Sequence, residues 1–164
     1  MAYKVLDIAK KLIKLADWDS ANGGENLTNL KLQKLLYYEQ GHHLAAFDTP
    51  LFNEKVEAWM YGPVVPEVYD YYQQYGANPL PIEDEVISFT EEEEKLFAMV
   101  YDAYRDFSAI GLLNKTHNEH PWASMKKYGR GEEISLSSMK AFFKTQLMTR
   151  KIKPQNEEIK PAKP

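Results

Sequence analysis

The chain has 164 residues, enough for one domain with a core of its own and no cross-links. It has no cysteine, which excludes a disulfide framework, a thiolate metal centre and a thiol nucleophile. A net charge of −4, with 44% hydrophobic and 27% charged residues, is that of an ordinary soluble domain and argues against a general binder of polyanions. Lys4, Lys10, Lys11 and Lys14 interrupt the first apolar segment, so it has no signal-peptide core, and no run approaches the ~20 apolar residues of a membrane span. The expected location is the cytoplasm, with no membrane partner.

Val5, Ile8, Ala9, Leu12, Ile13 and Ala16 recur at helical spacing and predict a first helix over residues 3–19. Thr28 is a good N-cap, with Leu27 and Leu32 as a staple, for a second helix ending near Phe47. Leu32, Leu35, Leu36 and Leu44 mark its inward stripe. Gly41 lies inside it, where Gly costs ~1 kcal/mol against Ala, so a neighbouring backbone is expected to pack closely there. Residues 55–60 alternate charged and apolar and predict a short strand, with Trp59 buried against the second helix near Gly41. Gly62 and Pro63 break that strand, and Pro66 is placed as the first residue of a helix over residues 66–75 that ends at Gly76. Residues 85–89 form a second strand candidate, a partner for the first.

Thr90 and Glu93 form a capping box, and Leu96, Phe97, Val100, Tyr101 and Tyr104 give the helix that follows its buried face. Ser108 caps a short helix, Pro121 opens another, and Ser135 caps a last one with Leu136, Met139, Phe143 and Leu147 inward. The fold class is therefore mainly α: a single compact domain of about six helices with one small two-stranded β element. It occupies residues 1–150, and a Pro- and Lys-containing tail follows over residues 151–164, with four Lys and two Glu.

Seven of the eleven tyrosines lie between Tyr37 and Tyr75. In the 66–75 helix they fall on more than one face, and exposed aromatics are what interface centres use. Tyr61, Pro63, Val65, Tyr69, Tyr71, Tyr72 and Tyr75 are thus candidate partner-binding residues. His117, Glu119 and His120 have the composition of a zinc ligand set or a small hydrolase centre but lack a metalloprotease spacing, and His42 and His43 diverge on their helix. No phosphate-binding loop or nucleophile elbow is present, so no catalytic residue, metal or cofactor is assigned. The segment 83–102 holds eight acids and one Lys, a candidate phosphate mimic as well as a solvated helix start.

The run Leu30-Lys31-Leu32-Gln33-Lys34-Leu35-Leu36-Tyr37-Tyr38, then Pro50-Leu51-Phe52, then Glu57-Ala58-Trp59-Met60-Tyr61-Gly62-Pro63-Val64-Val65-Pro66-Glu67-Val68-Tyr69, resembles the Panacea antitoxin domain family, the SocA-like or GepA-like group. Thr116-His117 and Pro121-Trp122 resemble that family's second signature, and the likeness extends over residues 3–147. The resemblance implies an antitoxin that neutralises a protein toxin by contact, in phage and other mobile elements. It implies as an alternative an adaptor that delivers a protein to a AAA+ protease, or an accessory protein with no cognate toxin. Members with an N-terminal DNA-binding domain exist; here the first helix starts at once, so DNA binding is not expected. Leu32, Leu35, Leu36, Gly41, Trp59, Gly62 and Trp122 are read as scaffold positions of the motif.

Overall fold

The computed structural model describes residues 2–24 and 26–146, so Leu147 and the 151–164 tail lie outside the described residues. In chain order the elements are α1 (Val5–Ser20), α2 (Asn29–Phe47), β1 (Glu57–Trp59), β2 (Gly62–Val64), α3 (Pro66–Tyr72) with a 3-10 turn (Gln73–Tyr75), α4 (Glu91–Tyr104), α5 (Ala109–His117), α6 (His120–Ala123) and α7 (Leu136–Phe143). The protein is mainly α with one two-stranded antiparallel sheet among its described residues. The caps stand where expected: Thr28 accepts from Lys31, Ser108 from Gly111 and Ser135 from Ser138, and Thr90 and Glu93 close a capping box.

Helix α2 organises the rest. It packs against α1, α3, α4, α5, α7 and β2, and sixteen of its nineteen residues are buried. A one-sided leucine stripe is therefore too narrow a description, because a helix at the centre has no solvent face. Most of its polar side chains enter the core by finding partners, since an unpaired buried polar group costs more than a made hydrogen bond contributes, although Glu39 Oε2 and His42 Nδ1 are buried without a hydrogen bond. Gln40 clamps the following loop: its Oε1 accepts from the Leu51 N–H at 2.7 Å and its Nε2 donates to the Phe52 carbonyl at 2.7 Å. His43 bridges the Thr49 carbonyl and the Glu93 carboxylate at 2.7 and 2.9 Å.

Gly41 faces a side chain rather than the neighbouring backbone that was expected. The Phe143 ring of α7 lies across it, and a Cβ there would overlap the ring carbons. Helix α7 is further clipped to the end of α2 by Lys144, which donates to the Ala45 carbonyl at 3.0 Å. Ion pairs of Lys140 and Lys144 with Asp48 add to this at 3.0 and 3.1 Å.

The small sheet differs from the one expected. Residues 85–89 form no strand; β1 pairs with Gly62–Val64, with Glu57 opposite Val64, Ala58 opposite Pro63 and Trp59 opposite Gly62. Pro63 has no N–H to donate, and Gly62 adopts φ +104°, a left-handed conformation open to glycine in a tight turn. The other edge of β1 is filled by residues 132–134, through the Ala58 N–H to the Glu132 carbonyl and the Ile134 N–H to the Val56 carbonyl, each at 2.8 Å. No free edge of β1 remains for residues 85–89. That segment runs beside α1 instead, where Lys14 pairs with Glu85 at 3.0 Å and Asp84 at 3.6 Å, and Lys10 with Glu83 at 4.0 Å. Lys11 pairs with Glu94 at 3.4 Å, so much of the acidic stretch faces lysines of its own chain rather than presenting a free row of charge.

Candidate functional site

The junction of β2 with α2 shows why the two motif blocks occur together. Lys34, fully buried, donates from Nζ to the Pro63 carbonyl at 3.0 Å, and Gln33 Oε1 accepts from the Val65 N–H at 2.8 Å. Two adjacent side chains of α2 thus satisfy the outer edge of β2, the edge at which an added strand would pair. Burial pushes the Lys34 ammonium down to about 7. A Cβ on Gly62 would lie 2.9 Å from Lys34 Cε and 3.0 Å from Thr116 Oγ1, so Gly62 is required by this close approach as well as by its backbone.

From Gln33 an amide relay runs on. Gln33 Nε2 donates to Asn29 Oδ1 at 2.9 Å, and Asn29 Nδ2 donates to the Tyr69 carbonyl at 3.2 Å. It ties β2, α2 and α3 together beneath a surface groove of about 440 Å³. Trp59, Tyr61 and Tyr69 form the aromatic part of the wall, Leu30 and Val64 add to it, and Gly76, Ala77 and Ala109 also line the groove. Trp59 meets Tyr69 edge to face at 5.1 Å, and the Arg130 guanidinium, itself paired with Asp70 at 2.6 Å, lies 4.8 Å from the Trp59 ring.

Of the candidate partner-binding residues, Tyr61 at 68% and Tyr71 at 44% are exposed, and Tyr69 and Tyr75 are half-buried. Pro63, Val65 and Tyr72 are buried, because β2 packs inward and α3 turns Tyr72 and Val68 toward the core. Tyr72→Ala is therefore expected to cost ~3–5 kcal/mol, as for buried aromatic truncations, while Tyr71→Ala leaves the melting temperature nearly unchanged. Thermal melts of the two variants side by side check this. Trp59 is half-buried on the groove, not against Gly41, and its indole N–H donates to Glu57 at 2.9 Å. The sequence marks Leu30 and Gln33 only as members of the motif run and does not single out Asn29 or Ala109; the i, i+4 amides Asn29 and Gln33, set among leucines, are the available signal.

A second cluster centres on the buried Glu119. The Glu119 carboxylate accepts from the Tyr37 hydroxyl at 3.2 Å and from the Tyr38 hydroxyl at 3.1 Å, with Lys115 Nζ at 3.8 Å. Tyr38 stacks on Tyr104 at 3.9 Å, and the Tyr104 hydroxyl meets His42 at 3.0 Å. His117 instead stacks flat on Trp122 at 3.8 Å, and the Trp122 N–H donates to the Trp59 carbonyl at 2.7 Å. His117 and Glu119 are thus engaged separately, and no group of three metal-ligating side chains converges among the described residues.

The model of the family described as "Antitoxin SocA-like, Panacea domain" matches residues 32–123, more than half of the chain. The chain belongs to the SocA-like Panacea-domain antitoxin family. Antitoxin SocA of Caulobacter vibrioides is 46% identical over 50 residues, which are 30% of this chain and 27% of that protein, so the alignment spans about a quarter of the relative's length. No solved structure matches the chain. The Panacea match is shorter than the 3–147 span of the resemblance. It begins inside α2 and ends with α6, enclosing Gln33, Lys34, the hairpin and Glu119. No helix among the described residues is long and apolar enough to cross a membrane.

The internal cluster predicts a pH-dependent stability for this Panacea domain. Burial raises the Glu119 carboxyl to about 6, against the pull of Tyr38, Lys115 and Tyr37, and burial lowers His42 to about 4. Glu119 holds its proton more tightly folded than unfolded, so its stabilising contribution is present at low pH and lost as pH rises through about 6. His42 does the reverse: its contribution is present above its ordinary value and lost as pH falls toward about 4. The two oppose each other across the mildly acidic range. Glu119→Gln removes only the first, so stability should fall more steeply between pH 6 and 4.5 than in the parent, a range set by the raised and ordinary Glu119 values. Urea unfolding at a series of pH values measures the slope.

Proposed function

We propose that this protein is an antitoxin that neutralises a toxin by direct protein–protein binding, with the aromatic groove as the contact. Membership of an antitoxin family carries the reading. The groove supports the place of contact: it groups Trp59, Tyr61 and Tyr69, the residue types that supply interface anchors. The outer edge of β2 is occupied by Lys34 and Gln33, and the far edge of β1 by residues 132–134, so the partner docks through side chains rather than by adding a strand.

Co-expression with the product of the adjacent gene tests this. The expected result is stoichiometric rescue of growth and a stable complex on size exclusion, both weakened by Tyr61→Arg, which alters an exposed side chain. Rescue at strongly substoichiometric protein, with no complex and no loss of toxin, would overturn it in favour of an enzyme.

A further inference from the structure

We propose that the groove receives an uncharged aromatic side chain of the toxin, in a slot already formed in the free protein. This rests on the groove being the toxin contact. None of the residues that line it carries a charge, and its volume of about 440 Å³ lies in the range of sites that enclose whole side-chain-sized groups. A charged group entering it would lose hydration, and the charges nearest its wall are already engaged, Arg130 with Asp70 and Glu57 with the Trp59 N–H, which disfavours acidic and basic anchors. The walls favour a ring. Trp59 and Tyr69 already stand edge to face on the wall, an arrangement that a third ring can extend, and Gly76, Ala77 and Ala109 withdraw side-chain volume from the lining.

The floor is what makes the slot ready-made. Gln33 is 1% exposed and uses both ends of its amide, accepting from the Val65 N–H and donating to Asn29, which in turn donates to the Tyr69 carbonyl. The elements that carry the walls are thereby held at fixed spacing before any partner arrives, and no floor amide is left to demand a polar ligand. A slot of this kind lowers the ordering cost of association.

The test uses the whole chain and small probes. N-acetyl-tryptophanamide added to 15N-labelled protein should shift the Trp59 indole N–H and the Val65 and Tyr69 amides. N-acetyl-leucinamide should bind about three- to tenfold more weakly, the increment of an aromatic pair. The anionic N-acetyl-aspartate amide should leave these resonances unmoved. Ala77→Trp, on an exposed wall, should abolish the shifts without lowering the melting temperature, and Gln33→Glu should weaken them by placing a carboxylate in the floor. Absence of shifts at these positions, equal binding of the leucine or aspartate probe, or retained binding in Ala77→Trp overturns the proposal. Rescue that persists alongside such a failure leaves the antitoxin reading standing; loss of rescue with intact probe binding overturns that reading instead.

Discussion

Phe143→Ala should lower stability by ~3–5 kcal/mol, as for a fully buried aromatic ring. The ring is fully buried and lies over Gly41. It also contacts Tyr37, Tyr38 and His42 at centroid separations of 5.4, 5.9 and 4.8 Å. It fills the place that a side chain on α2 would otherwise take, so the two positions are coupled. Gly41→Ala gains up to ~1 kcal/mol of helix propensity but forces the ring aside, and overpacking of a filled core costs ~1–3 kcal/mol, so the net effect is a loss. In the double variant the added methyl enters the space vacated by the ring. Its cost should be less than the sum of the single costs, with a coupling of ~0.5–3 kcal/mol, read from urea unfolding of all four proteins. Simple additivity would show that α7 and α2 do not meet at Gly41.

Trp59→Ala should weaken toxin binding by roughly thirtyfold or more, the ~2 kcal/mol expected of a central aromatic anchor. Stability should fall by less than the ~3–5 kcal/mol of a fully buried ring. The indole is half-buried, between Tyr69 and Arg130 and on the wall of the groove. Its main-chain carbonyl, which receives the Trp122 N–H, survives the substitution. Calorimetric titration of the co-expressed partner, beside a thermal melt, separates the two effects. A large loss of stability with unchanged affinity in the remaining folded protein would return Trp59 to a purely structural role.

Much of the architecture is decided over a few neighbouring residues and is legible in them. Thr28, Thr90, Ser108 and Ser135 start helices because a side-chain oxygen three residues before an unpaired N–H is a local device. Pro66 opens α3 by the same locality. The motif blocks likewise marked Gln33, Lys34 and the Gly62-Pro63 turn. What they do there was settled only by bringing α2 against β2, because a hydrogen bond between residues about thirty positions apart leaves no periodic trace in the chain.

The same limit explains the differences. Helical periodicity assumes one wet face, and α2 has none, so a stripe of Leu32, Leu35, Leu36 and Leu44 describes only part of its contacts, and the tertiary structure also buries Lys34, Glu39, Gln40 and His42. Residues 85–89 are a strand candidate in sequence, but strand identity depends on a free edge, and both edges of β1 are taken by other segments. Tyr61, Tyr71 and Tyr72 looked alike as tyrosines near one turn; the direction in which α3 leaves β2 alone decides which is core and which is surface. Local chemistry thus determined where elements begin and which residues matter, and the packing of distant segments around α2 decided what each of them touches.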